Sequence, residues 1–311
     1  MKLTDIAKKG FAAAAVIGLA LGLASCGGGG EEAAPAPDAQ PAESTEEGGS
    51  AEAPAAAPAE SGETKLVIKG SDTLGAKMVP QLAETYKAAG NTVSFEIAAE
   101  GSSTAFTNLL AGTGDIGMSS RTIKDSEKDS FTAEGMEIQD WIAAYDMIGV
   151  VVNSSNPVKN LTLAQVEGIF TGDITDWSEV GGPAGPISAY TRNTSSGTYK
   201  SFQDMAMGKR DYGTETQKMA GNEQIAQEVA KNPNGIGYVG LAYTENDGIK
   251  SVSVDSVELK PENAKTYPIA RSLHYYTVKG KLSAAGEAFL KWATTDDAAK
   301  EVVERVGFIA P

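Results

Sequence analysis

The sequence predicts an α/β protein built as two lobes joined by two crossover strands, on three observations. From residue 64 onward, short runs of strand character alternate with segments of helical spacing, the pattern of a parallel sheet covered by helices. Two long extended runs, 141–153 and 267–278, stand before and after a middle block, as two passages between lobes require. Three strand-to-helix junctions are made of polar residues, where an α/β sheet places its ligands.

The first strand covers 64–69 and turns at Gly70-Ser71-Asp72-Thr73. A helix over 78–86 follows, because Met78, Val79, Leu82 and Tyr86 recur at helical spacing. A second strand covers 91–98. Gly101-Ser102-Ser103-Thr104 then opens a helix over 105–111, and 115–118 is a third, short strand. The run 141–153 carries Ile142, Ile148, Val150, Val151 and Val152. A helix over 162–170 begins at Thr162, a residue type that caps helix starts. A strand over 186–190, a loop over 191–198 and a helix over 199–207 come next, then a strand over 235–239. The run 267–278 and terminal helices over 284–306 complete the chain. Lobe one is therefore expected at 64–145 plus 273–311, and lobe two at 146–272.

Residues 1–25 read as an export signal. Lys2, Lys8 and Lys9 precede an apolar run from Phe11 to Leu23, shorter than the about 20 residues of a membrane span. The sequence Leu23-Ala24-Ser25-Cys26 resembles a bacterial lipobox, in which the Cys thiol takes a diacylglyceryl group before cleavage; an incidental Cys after an ordinary signal is the alternative. Cys26 is the only cysteine, so no internal disulfide is available. Acylation of Cys26 would tie the protein to a membrane, stably once two chains are attached. Residues 26–63 form the expected stalk, with nine acidic, no basic and no aromatic residues. Such a segment buries too little apolar surface to order itself, and its Pro content and like charge extend it.

The whole chain carries a net charge of −15; the leader contributes +2 and the stalk −9, which leaves −8 on residues 64–311. An acidic body argues against nucleic acid as a partner. Any anion it holds must be held by local hydrogen bonds, because the overall field repels it.

The three polar junctions suit that task. They are Gly70 to Thr73, Gly101 to Thr104, and Arg192-Asn193-Thr194-Ser195-Ser196-Gly197-Thr198. Each precedes a helix start, where free N–H groups favour an anion. Hydroxyls add donors without charge, and Arg192 adds a planar fork that grips two oxygens. For any one loop, simple capping is the plainer explanation. Three together describe a site for a dehydrated tetrahedral oxyanion.

In these motifs the chain resembles the phosphate-binding protein family of bacterial ABC importers, within the periplasmic-binding-protein superfamily. The resemblance covers nearly all of 64–311. It rests on Gly70 to Thr73 with Ala83-Glu84-Thr85-Tyr86, on Gly101 to Thr104, and on Asp115 to Arg121. It continues through Ile169 to Glu179, Arg192 to Thr198, and Asn234 to Tyr238. It implies a type II fold of two lobes closing on one phosphate, with no cofactor, and the membrane components of an importer as partners. Carried over by position, Thr73, Ser102, Ser196 and Thr198 bind through hydroxyls, and Leu74 and Gly197 through backbone N–H groups. Arg192 supplies the charge. Many family members have an Asp where this chain has Ser120; that Asp accepts the proton of hydrogen phosphate and repels sulfate. The resemblance leaves open whether Asp72 or another acidic residue takes its place. Arg121 either adds a second charge at the cleft or pairs with Asp125.

Other function classes fit less well. A Ser–His–Asp enzyme needs a histidine, and the only one, His274, lies in an extended apolar run where a packed role is expected. No His, Cys or carboxylate cluster suggests a metal, and no Walker lysine pattern is present. Trp141, Trp177 and Trp292 read as packing residues. A receptor for another oxyanion, such as sulfate, and a surface adhesin or structural lipoprotein are the alternatives. A monomer is expected.

Overall fold

The computed structural model describes residues 64–311; the expected leader, lipidated Cys26 and stalk lie outside the described residues. The elements run β1 (Thr64–Gly70), α1 (Asp72–Gly75), α2 (Met78–Ala88), β2 (Val93–Ala99), α3 (Ser102–Leu110), β3 (Ile116–Ser119), α4 (Asp125–Ala133) and β4 (Ile138–Asn153). They continue with β5 (Asn160–Leu161), α5 (Leu163–Thr171), β6 (Ser188–Arg192), α6 (Gly197–Ala206), β7 (Gln217–Met219), α7 (Asn222–Lys231) and β8 (Gly235–Gly240). The last are β9 (Ile249–Ser251), β10 (Ser253–Val254), β11 (Ala270–Val278), α8 (Ala284–Thr295) and α9 (Asp297–Val306).

One sheet runs in the order β2-β1-β3-β11-β4-β8-β6-β7, with β9 also on β4. Its key strand is β4. Residues Ile138 to Met147 pair with β11, and Ile148 to Val152 pair with β8. A single strand thus serves two half-sheets, and β11 is its antiparallel companion. The β-branched run Val150-Val151-Val152 is buried, as a strand covered on both faces requires.

Within each half the working strands are parallel: β1 with β2 and β3, and β6 with β7 and β8. Parallel strands need crossover helices, so each strand ends where a helix begins. Amphipathic helices then cover the faces. In α9 the buried residues are Ala299, Val302 and Val303, one stripe at helical spacing. One core joins Leu66, Ile68, Leu82, Phe289 and Val303, and extends under α7 through Ile225 and Val229. A second joins Val150, Val152, Phe170, Trp177, Phe202 and Tyr238. Each such side chain contributes roughly 1.5–3 kcal/mol through burial.

Three helices escape the sequence reading; α1 is a single turn, where the sequence predicts only a loop. Helix α4 has a single buried residue, Phe131, and so no periodicity to detect. Helix α7 does carry a signal, with Ile225, Ala226 and Val229 buried on one side. Helix α6 begins at Gly197, two residues earlier than expected, so Gly197 and Thr198 belong to its first turn.

Candidate functional site

Strands β1, β2, β3 and β6 all end at one place. Gly70 closes β1 with φ of 133°, and a Cβ there would collide with the Met118 carbonyl. Only glycine tolerates both conditions. Thr73, Ser102, Ser120, Arg192, Ser196 and Thr198 are all buried at these strand ends.

Their hydroxyls meet across the gap between the half-sheets. The Thr73 and Thr198 hydroxyls lie 2.9 Å apart, and Ser120 Oγ is 3.4 Å from Thr198 Oγ1. Ser102 Oγ lies 3.2 Å from Ser120 Oγ and accepts the Ser120 N–H at 2.9 Å. A Cβ on Gly197 would collide with Ser102 Oγ and approach Ser120 Oγ to 2.6 Å. Glycine here allows α6 to bring its first turn onto the second loop. The Ser103 N–H donates to the Ser195 carbonyl at 3.1 Å, so the second and third loops also touch through the backbone. Ser196 caps α6, accepting the Tyr199 N–H at 3.2 Å, and Leu74 lies fully buried in α1.

Arg192 lies at the centre, 1% exposed. Its Nη2 donates to the Ala220 carbonyl at 2.8 Å, and Nη1 lies 3.3 Å from Asp72 Oδ2. Among the described residues, its Nε and Nη1 form no hydrogen bond. Buried donors without partners are costly and unusual. Burial pushes the guanidinium below its usual pKa; Asp72 opposes that shift and Arg271 reinforces it. Behind it, Tyr238 OH accepts the Arg192 N–H at 3.3 Å and lies 2.6 Å from Thr191 Oγ1.

Asp72 is engaged through Oδ2. Its Oδ2 accepts the Asn222 N–H at 3.0 Å and Asn222 Nδ2 at 2.8 Å. Because the cap residue Gly221 has no side chain, this carboxylate from β1's loop covers the start of α7, where a negative charge is favoured. Asn222 also donates to Thr73 Oγ1 at 3.3 Å.

The second cation at the site is Arg271, not Arg121. Arg121 binds Glu127 through both nitrogens, at 2.6 and 2.8 Å, and lies over the Phe106 ring. Its carboxylate partner is thus Glu127 and not Asp125. Arg271 instead stands on β11, opposite Asp146 of β4. Its Nε and Nη2 bind Asp146 Oδ2 at 3.0 and 2.7 Å. Its Nη1 donates to the Ser120 carbonyl at 2.9 Å, and Nη2 to Thr198 Oγ1 at 3.0 Å. Arg271, Asp146 and Asn222 were not anticipated. They lie in a crossover strand or in an unread helix, away from any loop motif.

Among the described residues, no group of three or more His, Cys, Asp or Glu is placed to hold a metal, and no helix is long and apolar enough to cross a membrane. The site can therefore hold an anion by hydroxyls, helix-start N–H groups and two buried guanidiniums.

Two half-sheets sharing a strand, with their loops meeting at a buried cationic centre, define a type II periplasmic binding protein. The model of the PBP superfamily domain matches residues 50–297. The phosphate-binding protein PstS of Pseudomonas aeruginosa is 33% identical over 264 residues, covering 77% of this chain and 81% of its own. Its counterpart in Bacillus subtilis is 28% identical over 246 residues, covering 78% and 80%. Among solved structures, a proposed phosphate ABC transporter substrate-binding protein from Clostridium perfringens, with bound phosphate, aligns at a TM-score of 0.74. It is 32% identical, and the alignment covers 80% of this chain and 100% of that one. The chain belongs to the PBP superfamily and, within it, to the PstS family of phosphate-binding proteins.

Proposed function

We propose that this protein captures inorganic phosphate outside the cytoplasm and delivers it to the membrane components of an ABC importer. The observation that carries the reading is Arg192, buried yet with two nitrogens free of hydrogen bonds, ringed by hydroxyls from both half-sheets. A phosphate between the loops would take those donors, with the hydroxyls of Thr73, Ser102, Ser120, Ser196 and Thr198. The Leu74 and Gly197 N–H groups complete its shell. Arg271 supports from the hinge, holding Thr198 and the Ser120 carbonyl in place.

The lobes in this reading are 64–145 plus 273–311 and 146–272, joined by β4 and β11. Ligand bound to both lobes favours the closed state by its differential affinity, and the importer reads that state. Phosphate leaves unchanged, as in a receptor and not an enzyme. A lipid on Cys26 and the acidic stalk would keep a monomeric body near the membrane at high effective concentration. Ser120 in place of a carboxylate favours a second reading, a receptor less strict between phosphate and sulfate.

The test is calorimetry on protein stripped of ligand, titrated with phosphate and then sulfate at pH 8. One-to-one phosphate binding with no sulfate heat is expected. Equal binding of both establishes the second reading, and binding of neither overturns both.

A further inference from the structure

We propose that Ser272 is an activated nucleophile that accepts acyl groups from small carboxylic esters, through a Ser272–His274–Asp140 relay separate from the hydroxyl cluster. His274 is buried, as its apolar run predicts, but it is not merely packed. Its Nδ1 lies 2.7 Å from Asp140 Oδ1, and its Nε2 lies 2.7 Å from Ser272 Oγ. A carboxylate only accepts, so Nδ1 carries a proton; in the neutral ring Nε2 is then the acceptor for the serine hydroxyl. This is the arrangement that turns a weak alcohol into a nucleophile.

The relay is braced. The Tyr276 hydroxyl donates to Asp140 Oδ2 at 3.2 Å, and its ring stacks on the imidazole at 5.6 Å and 16°. Ile123 N–H in turn donates to that hydroxyl at 3.0 Å. Imidazole and carboxylate are therefore both fixed in orientation. The serine end is open. Ser272 lines a cavity of about 590 Å³ between Arg121, Lys124, Lys200 and Arg271, with Asp125 and Asp204 also on its wall. Glu127, Asp146 and Asp204 pair with Arg121, Arg271 and Lys200, which leaves Lys124 as the cation on that wall to stabilise the oxyanion that forms on attack.

In the step, the bond formed joins Ser272 Oγ to the acyl carbon. The bond broken joins that carbon to the leaving alkoxide. The hydroxyl proton passes to His274 Nε2 and on to the leaving group, and no oxidant is needed. Water then hydrolyses the acyl-serine by the reverse proton path.

The test uses the purified full-length protein with p-nitrophenyl acetate, following nitrophenolate release and mapping the acetyl group by peptide mass spectrometry. One equivalent released in a burst, with the acetyl group on Ser272, is expected. Ser272→Ala removes the burst, while His274→Gln and Asp140→Asn slow it by roughly 100-fold or more. Phosphate titration of each variant reports whether it is folded, since none of the three touches the hydroxyl cluster. A missing burst, or an acetyl group that sits elsewhere and persists in Ser272→Ala, overturns the proposal. Either result leaves the phosphate reading untouched.

Discussion

Arg192→Ala is the sharpest perturbation of the site. The guanidinium is 1% exposed and lies 3.3 Å from Asp72, itself largely enclosed. Two of its nitrogens, Nε and Nη1, are free to serve a ligand. A hydrogen bond involving a charged group is worth about 1.5–3 kcal/mol, so two lost donors cost about 3–6 kcal/mol of binding. At 1.4 kcal/mol per factor of ten, that weakens phosphate affinity roughly 10²- to 10⁴-fold. The substitution also strands Asp72, and breaking a buried pair costs about 3–5 kcal/mol of stability. The two effects separate in a double variant. Asp72→Asn in the Arg192→Ala background removes the stranded carboxylate and regains stability, but the affinity stays low. Calorimetry with phosphate and chemical denaturation of the parent, Arg192→Ala, Asp72→Asn and the double variant provide the readout. A folded Arg192→Ala protein that binds phosphate within about tenfold of the parent refutes the argument, because Arg192 is then not the ligand's cation.

Other consequences follow from the same geometry. Ser120→Asp places a carboxylate beside Ser102 and Thr198, and calorimetry should show sulfate rejected more strongly relative to phosphate; an unchanged ratio means another group sets selectivity. Gly197→Ala drives a methyl into Ser102 Oγ, so phosphate binding falls at least tenfold while the melting temperature drops by only a few degrees, at about 1–3 kcal/mol of overpacking strain. Burial pushes the Tyr238 hydroxyl up to about 12. A raised folded-state value means the stabilisation is complete below the ordinary tyrosine range near 10 and is lost as pH rises through about 12, which thermal melts from pH 8 to 12 should record as falling stability.

Much of the fold is legible in the chain because its signals are local. The spacing of Met78, Val79, Leu82 and Tyr86 produces α2, and the β-branched run through Val152 produces the inner part of β4. The polar junctions are legible too, since three of them recur between strand and helix in one chain, one with an Arg. Residues 72, 73, 102, 120, 192, 196, 197 and 198 do converge, because parallel strands deliver their carboxyl ends to one edge. Sequence alone also sets the acidic balance that makes local donors necessary.

Partnership was decided only by the tertiary structure. Arg121 and Arg271 are equivalent as letters. One is claimed by Glu127 a few residues along the chain; the other is carried to the hydroxyl cluster by its register with Asp146 across β4 and β11. Asp72 looks like a free acceptor until Asn222, 150 positions away, places the start of α7 on it. His274 reads as packing until strand pairing sets Asp140 of β4 against the ring nitrogen opposite Ser272, its neighbour on β11. Composition and periodicity encode which face of an element is buried, because that depends on neighbours a few residues away. They do not encode which charges meet, because contacts over a hundred residues apart form only when the whole sheet has folded.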